Sequence, residues 1–234
     1  MHEQASVAVI IPVFNEEEAL PYVLRALREV HGGEVYVVDG GSSDGTVAAA
    51  EEKGAIVLVE SQRGYGRACM TGAEAAIAAG AETLVFLDGD FSDDPTYLPA
   101  LLAPLRASRA DLVIGARARR LRQPGAMPAH QSAGNTLVAA LIRGLHGVPV
   151  SDLGSFRAMP AAVYRALDLR ETTYGWPVEA VVRAGHQGYR VREVAVPYRT
   201  RIGVSKISGT MQGSLRAGYH MIATVLRERI NPRP

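Results

Sequence analysis

The chain has 234 residues, 47% of them apolar and 21% charged, with a formal net charge of +1. That mix can bury a full core and excludes a disordered chain, and the near-neutral balance provides no global field for nucleic acid. One cysteine, Cys69, excludes an intramolecular disulfide framework and a cysteine-based zinc site, and is compatible with a reducing, cytoplasmic setting.

The elements follow in chain order. An apolar run at 7–14 reads as a buried strand. His2 and Glu3 precede it rather than a basic cluster, so it is not expected to be a signal peptide. Further short apolar runs at 35–38, 56–59, 84–87 and 112–114 read as strands of the same kind. Between them, 17–30, 45–53, 66–79 and 95–107 carry helix formers with apolar residues at three-to-four spacing. Strand–helix alternation predicts a mostly parallel sheet with helices on both faces, which binds ligands at the carboxyl ends of its strands. The basic stretch 117–122 ends at Pro124-Gly125 and reads as a loop. Helices are expected at 130–145 and 175–188, a strand at 191–198, a Gly/Ser-rich basic loop at 199–213 and a last helix at 214–230. No stretch reaches the roughly 20 apolar residues that span a bilayer, so any membrane contact is expected to be peripheral or through a partner.

The polar clusters fall at the strand ends. Asn15-Glu16 follows the first, Asp39 through Gly45 the second, and Asp88-Gly89-Asp90 the fourth. Two carboxylates around a glycine suit a hard cation, Mg²⁺ or Mn²⁺, whose remaining ligands come from phosphate and water. Asp-Gly is also a hairpin dipeptide, but with a strand before it, a helix after it and no adjacent partner strand, the hairpin reading loses. Ser42 and Ser43 read as caps of the next helix, as does Asp44, whereas a carboxylate such as Asp39 at a buried strand end is costly without a partner and could accept hydrogen bonds from a base or ribose. The first turn lacks Gly-x-Gly-x-x-Gly and no Walker A motif occurs, so phosphate must be held by metal and basic side chains. Arg63-Gly64-Tyr65-Gly66 opens the third helix and is either an anion site or a Gly-rich loop with a solvated arginine. A charge run such as Arg117, Arg119, Arg120 and Arg122 is usually a solvated face, with Arg117 singled out because it lies nearest the strand end. Arg199, Arg201 and Lys206 cluster in a loop able to close over a site.

Three motifs carry a resemblance: Val9-Ile10-Ile11-Pro12-Val13-Phe14-Asn15-Glu16, Val37 through Thr46, and Asp88-Gly89-Asp90. Together they resemble family 2 glycosyltransferases of the GT-A fold. Arg63-Gly64-Tyr65-Gly66, Asp152 through Phe156-Arg157, and Gly203-Val204-Ser205-Lys206 look like the branch that makes dolichyl- or polyprenyl-phosphate mannose or glucose. The resemblance implies one domain over 1–230, with a nucleotide-sugar half at 1–116 and an acceptor half at 117–230. It implies that Pro12, Phe14 and Glu16 contact the base beside Asp39, that Asp88 and Asp90 hold the metal and diphosphate, that Arg117, Arg201 and Lys206 meet an acceptor phosphate, and that Asp152 sits near the reacting centre. The candidate nucleotide-binding set is thus Pro12, Phe14, Asn15, Glu16, Asp39, Asp44, Arg63, Gly64, Asp88 and Gly89. Ser92 replaces the branch's usual glutamine, Gly154-Ser155 replaces Ser-Gly, and the arginine before Gly203 is shifted, leaving Arg199 and Arg201 as rivals.

The activity so implied is inverting hexosyl transfer from a GDP-mannose- or UDP-glucose-type donor to a polyprenyl or dolichyl phosphate. A soluble transferase with a small hydroxyl acceptor, for which Asp152 would be the base, is the main alternative; a sugar nucleotidyltransferase and a non-catalytic nucleotide-binding module are lesser ones. The segment Tyr174 through Glu179 reads as an acceptor wall or, for Trp176, as core. In the last helix Leu215, Tyr219, Ile222 and Leu226 share a face that either packs on the domain, the commoner case, or lies on a membrane.

Overall fold

The computed structural model describes residues 6–203 and 211–231. Seven strands form one sheet: β1 (Val7–Val13), β2 (Val35–Asp39), β3 (Ile56–Val59), β4 (Thr83–Phe86), β5 (Leu112–Arg122), β6 (Arg157–Pro160) and β7 (Val191–Tyr198). Their order is β3-β2-β1-β4-β6-β5-β7. All neighbours are parallel except β6, which runs antiparallel to both β4 and β5. Strand order reverses between β1 and β4, and the crevice that a reversal opens lies at the carboxyl ends of those strands. Val13 at the end of β1 is level with Asp39 at the end of β2, so their turns emerge side by side.

The helices are α1 (Leu20–Val30), α2 (Thr46–Glu52), α3 (Tyr65–Ala78), α4 (Leu98–Arg106), α5 (Ala129–His146), α6 (Ala161–Leu167), α7 (Trp176–His186) and α8 (Met211–Ile230). The sheet separates two apolar cores, because alternate strand residues point to opposite faces. Ile10, Val38, Leu84 and Phe86 meet α3 and α7 on one side, while Val9, Ile11, Val37 and Val85 meet α1 and α4 on the other. Trp176 lies at the centre of the first core, with its ring 4.8 Å from that of Phe86 and 6.4 Å from that of Tyr65. It is fully buried, so the core reading of this residue holds.

The first five strands and four helices lie where periodicity places them. Three departures have physical causes. The stretch 117–122, expected as a loop, continues β5, because β7 pairs alongside it: Ala116 faces Ala195, Arg117 faces Val196 and Arg122 faces Tyr198. Backbone pairing there overrides a basic sequence that has no apolar face. The elements β6 and α6 were not foreseen; β6 is only four residues long and begins with an arginine, so it carries no apolar signature. Helix α8 begins at Met211, inside the expected 199–213 loop.

Trp176→Ala should destabilise the fold by about 3–5 kcal/mol, the usual cost of emptying a large aromatic site in a close-packed core. Urea unfolding followed by circular dichroism measures it.

Candidate active site

The turns after β1 and β2 are laced together. Asn15 takes a left-handed conformation (φ 54°), which a short polar side chain tolerates. Its backbone N–H donates to Ser42 Oγ and its Oδ1 accepts from Ser43 N–H, each at 2.8 Å. Glu16 N–H donates to Thr46 Oγ1 at 2.8 Å, and Gly45 N–H to Glu17 Oε2 at 2.7 Å. Ser42 and Ser43, expected to cap α2, therefore hold the neighbouring turn instead; the cap position is Gly45, and Asp44 before it accepts from Thr46 N–H through Oδ1 at 3.1 Å. The buried Asp39 carboxylate accepts from Gly41 and Ser42 N–H at 3.0 Å, a local turn that meets part of its hydrogen-bonding need. Arg63 lies over the Phe14 ring, 4.5 Å from its centroid, joining the Arg63-Gly64-Tyr65-Gly66 segment to the turn after β1.

The glycines of Arg63-Gly64-Tyr65-Gly66 answer to packing. A Cβ on Gly64 would collide with the Thr172 carbonyl oxygen, and one on Gly66 with that of Glu171. Arg67 N–H, in the first turn of α3, donates to Thr172 O at 3.1 Å. The intruding segment is held by the buried Glu179, whose Oε2 accepts from Arg170 and Glu171 N–H at 2.9 and 2.8 Å. At least one N–H of this helix start is thus already satisfied by the protein.

Acids crowd the end of β4. Asp88 accepts from the Tyr65 hydroxyl at 3.2 Å, and burial together with the Asp90 charge pushes its pKa above the ordinary carboxylate range. Asp90 Oδ1 accepts from Ser92 N–H at 2.9 Å, and its Oδ2 meets Arg201 at 2.8 Å. Gly89 between them is pressed on β1, where a Cβ would lie 2.7 Å from Val13 Cγ1. Asp93, which sequence reasoning missed, accepts from Ser155 Oγ at 2.9 Å and leaves Oδ1 buried without a partner. Burial and the Asp88 charge push it up to about 7. The only sequence signal for it is a further acid three residues beyond the pair.

The segment after β7 lies along this acidic turn. Arg199 N–H donates to Ser92 O at 2.8 Å and Ile202 N–H to Asp90 O at 3.0 Å. The Arg199 guanidinium pairs with Asp94 and sits 4.8 Å from the Phe91 ring centroid. Of the two rival arginines, Arg201 is the one on the Asp90 carboxylate; Lys206 lies outside the described residues. No cluster of three or more His, Cys, Asp or Glu side chains poised for a metal occurs among the described residues. The donor set is two hard carboxylates whose crowding calls for a cation, which fits Mg²⁺ or Mn²⁺ completed by phosphate and water.

On the far side of the site β5 places Arg117. Its Nε and terminal nitrogen fork onto Asp152 at 2.8 and 2.6 Å, and its backbone N–H adds a third bond to Asp152 at 2.7 Å. Burial alone would raise the Asp152 pKa, but the Arg117 charge and these bonds outweigh it and hold the carboxyl at about 2. Glu193 on β7 fixes the segment that carries Asp152, accepting from Ser151 N–H, Asp152 N–H and Ser151 Oγ at 2.7, 2.9 and 2.7 Å. Asn135 on α5 and the Tyr198 ring complete the cage around the guanidinium. A groove of about 550 Å³ opens here, lined by Arg117, Arg119, Arg120, Arg122, Asp152 and Glu193. Arg119 and Arg120 are exposed, as a charge run usually is.

A doubly wound sheet with an acid pair at its switch point and no glycine-rich first turn defines a nucleotide-diphospho-sugar-binding architecture of the GT-A type. Residues 8–167 match the family described as Glycosyl transferase family 2, and the chain belongs to that family; it is a glycosyltransferase. An uncharacterized glycosyltransferase of Mycobacterium tuberculosis is 37% identical over 214 residues, covering 91% of this chain and 94% of that one. The undecaprenyl-phosphate mannosyltransferase of Micrococcus luteus is 34% identical, covering 88% and 89%. Among solved structures, glucosyl-3-phosphoglycerate synthase from Mycobacterium tuberculosis, in complex with Mn²⁺, UDP and phosphoglyceric acid, superimposes with a TM-score of 0.77. It is 21% identical, covering 98% of this chain and 80% of that one, and so shares the fold.

Asp152→Asn should cost on the order of 2–3 kcal/mol near neutrality, somewhat under the full cost of losing one partner of a buried pair because asparagine still accepts one hydrogen bond. The wild-type advantage depends on a carboxyl with a depressed pKa. It is therefore present above about pH 4 and fades as pH falls toward 2. Denaturant midpoints of both proteins across that window check the sign.

Proposed function

We propose that this glycosyltransferase moves a hexose from a nucleoside-diphosphate sugar to a polyprenyl phosphate, with inversion at the anomeric carbon. The observation that carries the reading is the pairing, at one sheet edge, of the Asp88–Asp90 acid pair with a groove of arginines built around Arg117. The acid pair suits a metal-bound diphosphate and the groove suits a second, phosphorylated ligand. The relative from Micrococcus luteus, named for transfer of mannose to undecaprenyl phosphate, supports the acceptor class. So does the polyprenol monophosphomannose synthase of Mycolicibacterium smegmatis, 32% identical over 86% of this chain.

When bound, a divalent ion would act as a Lewis acid on the departing diphosphate. Asp88 and Asp90 would hold it. The end of β1 with Pro12 and the turn with Phe14, Asn15 and Glu16, together with Asp39, Asp44 and Arg63-Gly64, would hold the base and ribose. Arg117 would orient the acceptor phosphate, joined by Arg201 and Lys206 from the segment after β7. A phosphate monoester has a second pKa near 6 and is already ionised at neutrality, so its oxygen can attack without a general base. Asp152 suits that scheme: a carboxyl held near 2 and forked by an arginine is a poor proton acceptor and a good anchor for Arg117. No helix among the described residues is long and apolar enough to cross a membrane. On the reading of the acceptor as a polyprenyl phosphate, the chain would meet it at the membrane surface, on its cytoplasmic side.

A smaller phosphorylated acceptor is the second reading, because the arginine groove would serve it equally. Product analysis with a polyprenyl phosphate beside small phosphorylated and hydroxyl acceptors separates the two.

The donor site is tested by thermal shift with guanosine and uridine diphosphates and their sugars, with and without Mn²⁺. A ligand at about 100 times its dissociation constant should add about 2.7 kcal/mol, for one base only, requiring metal and vanishing in Asp90→Ala. No metal-dependent shift with any donor would overturn the donor site. Glu193→Ala should lower turnover at least tenfold while leaving that donor shift intact, and Glu193→Gln, whose amide can remake the bonds to Ser151 and Asp152, should restore it. Unchanged turnover in Glu193→Ala would remove the Glu193–Asp152–Arg117 chain from the mechanism.

A further inference from the structure

Helix α8 faces two environments. Its inner face buries Thr224, Val225 and Glu228. Val225 O contacts His146 Nε2 on α5 at 3.0 Å, and Glu228 pairs with the buried Arg183 of α7. Ile222 and Met221 pack at the edge of the core. The outer face carries Tyr219, Leu226 and Ile230, which are 70%, 44% and 74% exposed. Steps of seven and four residues put these three on a single stripe. Tyr219 and Leu226 therefore do not pack on the domain, contrary to the commoner expectation for their face; the Leu215 side chain lies outside the described residues.

Arginines flank the stripe. Helical spacing sets Arg216 and Arg227 along one side and Arg229 along the other. Arg227 reaches Glu171 at 3.0 Å, while Arg216 and Arg229 form no ion pair among the described residues. The sole acid in α8 is Glu228, which is buried, so among the described residues the outward face of α8 carries no negative side chain of its own.

We infer that this stripe of α8 docks the protein on an anionic bilayer, with Tyr219, Leu226 and Ile230 entering the interface and Arg216 and Arg229 meeting lipid phosphates. The charge favours this occupant over a second copy of the chain. Two copies paired through the stripe would set arginine against arginine, and three exposed side chains fall well short of the roughly 800 Å² per partner that a stable dimer buries. A basic-flanked apolar stripe is also the pattern of helices that lie in a membrane interface. The surface is joined to the site: Thr224 and Arg227 contact Glu171, whose neighbour Thr172 packs on the start of α3, where Tyr65 reaches Asp88. Its use in catalysis rests on the reading of the acceptor as a polyprenyl phosphate.

The test uses the full chain and vesicles of phosphatidylcholine and phosphatidylglycerol at three to one. The protein should sediment with them and bind at least tenfold more weakly to pure phosphatidylcholine. The triple variant Tyr219→Ser/Leu226→Ser/Ile230→Ser should lose at least tenfold in binding with an unchanged melting temperature, since all three residues are exposed. No sedimentation of the wild type, or undiminished binding by the variant, overturns the docking surface. So does a dimer in light scattering that the variant dissolves. Turnover separates this from the acceptor reading. Wild type and variant should use a short, water-soluble polyprenyl phosphate equally, and only the wild type should use a long-chain one embedded in vesicles. Equal use of the embedded acceptor overturns the docking role. Vesicle binding that the variant loses, with no turnover of either acceptor, supports docking and counts against the acceptor reading alone.

Discussion

Asp88, Asp90 and Asp93 crowd the carboxyl end of a buried strand, and the site is organised around that concentration of negative charge. Like charges in a poorly solvated setting raise one another's proton affinity, as Asp88 and Asp93 show. The protein answers with cations and donors from distant parts of the chain. Arg201 arrives from the segment after β7, Ser155 from the turn before β6 and Tyr65 from α3. The fold can be viewed as a way of bringing these groups, nearly 140 residues apart in sequence, to one turn.

The Arg117 side of the site solves the opposite problem. Arg117 is a nearly buried cation, and Asp152 neutralises it while fixing its plane. Glu193 and Asn135 in turn fix the segment bearing Asp152. A guanidinium so constrained has little conformational freedom left to lose when it meets a ligand, which is the benefit of preorganisation.

Much of this was legible in the sequence, for physical reasons. Buried parallel strands read as apolar runs, and acids at their ends stand out because carboxylates are costly there, so the positions of Asp39, Asp88 and Asp90 were visible. What stayed hidden depends on contacts between distant residues. Nothing local marks Glu193 as the anchor of Asp152, Glu179 as the holder of residues 170 and 171, or Gly64 and Gly66 as the seat of Thr172. The β5 extension was missed because its pairing with β7 comes from a partner about 80 residues away. In α8 an apolar period was visible, but which face would be covered was decided by α5 and α7.

The pairing of Arg201 with Asp90 has a further consequence. In structural zinc centres the metal supplies much of the folding free energy, so the empty polypeptide is unfolded, whereas a crowded acid pair needs only a cation to offset its charge. Here the offsetting cation is part of the chain, carried on a segment whose backbone is bonded to Ser92 and Asp90. On the proposed reading of Asp88 and Asp90 as metal ligands, removing divalent ions with a chelator would therefore empty the site without dismantling it, and loading a metal would be an exchange of one counter-ion for another rather than a folding event.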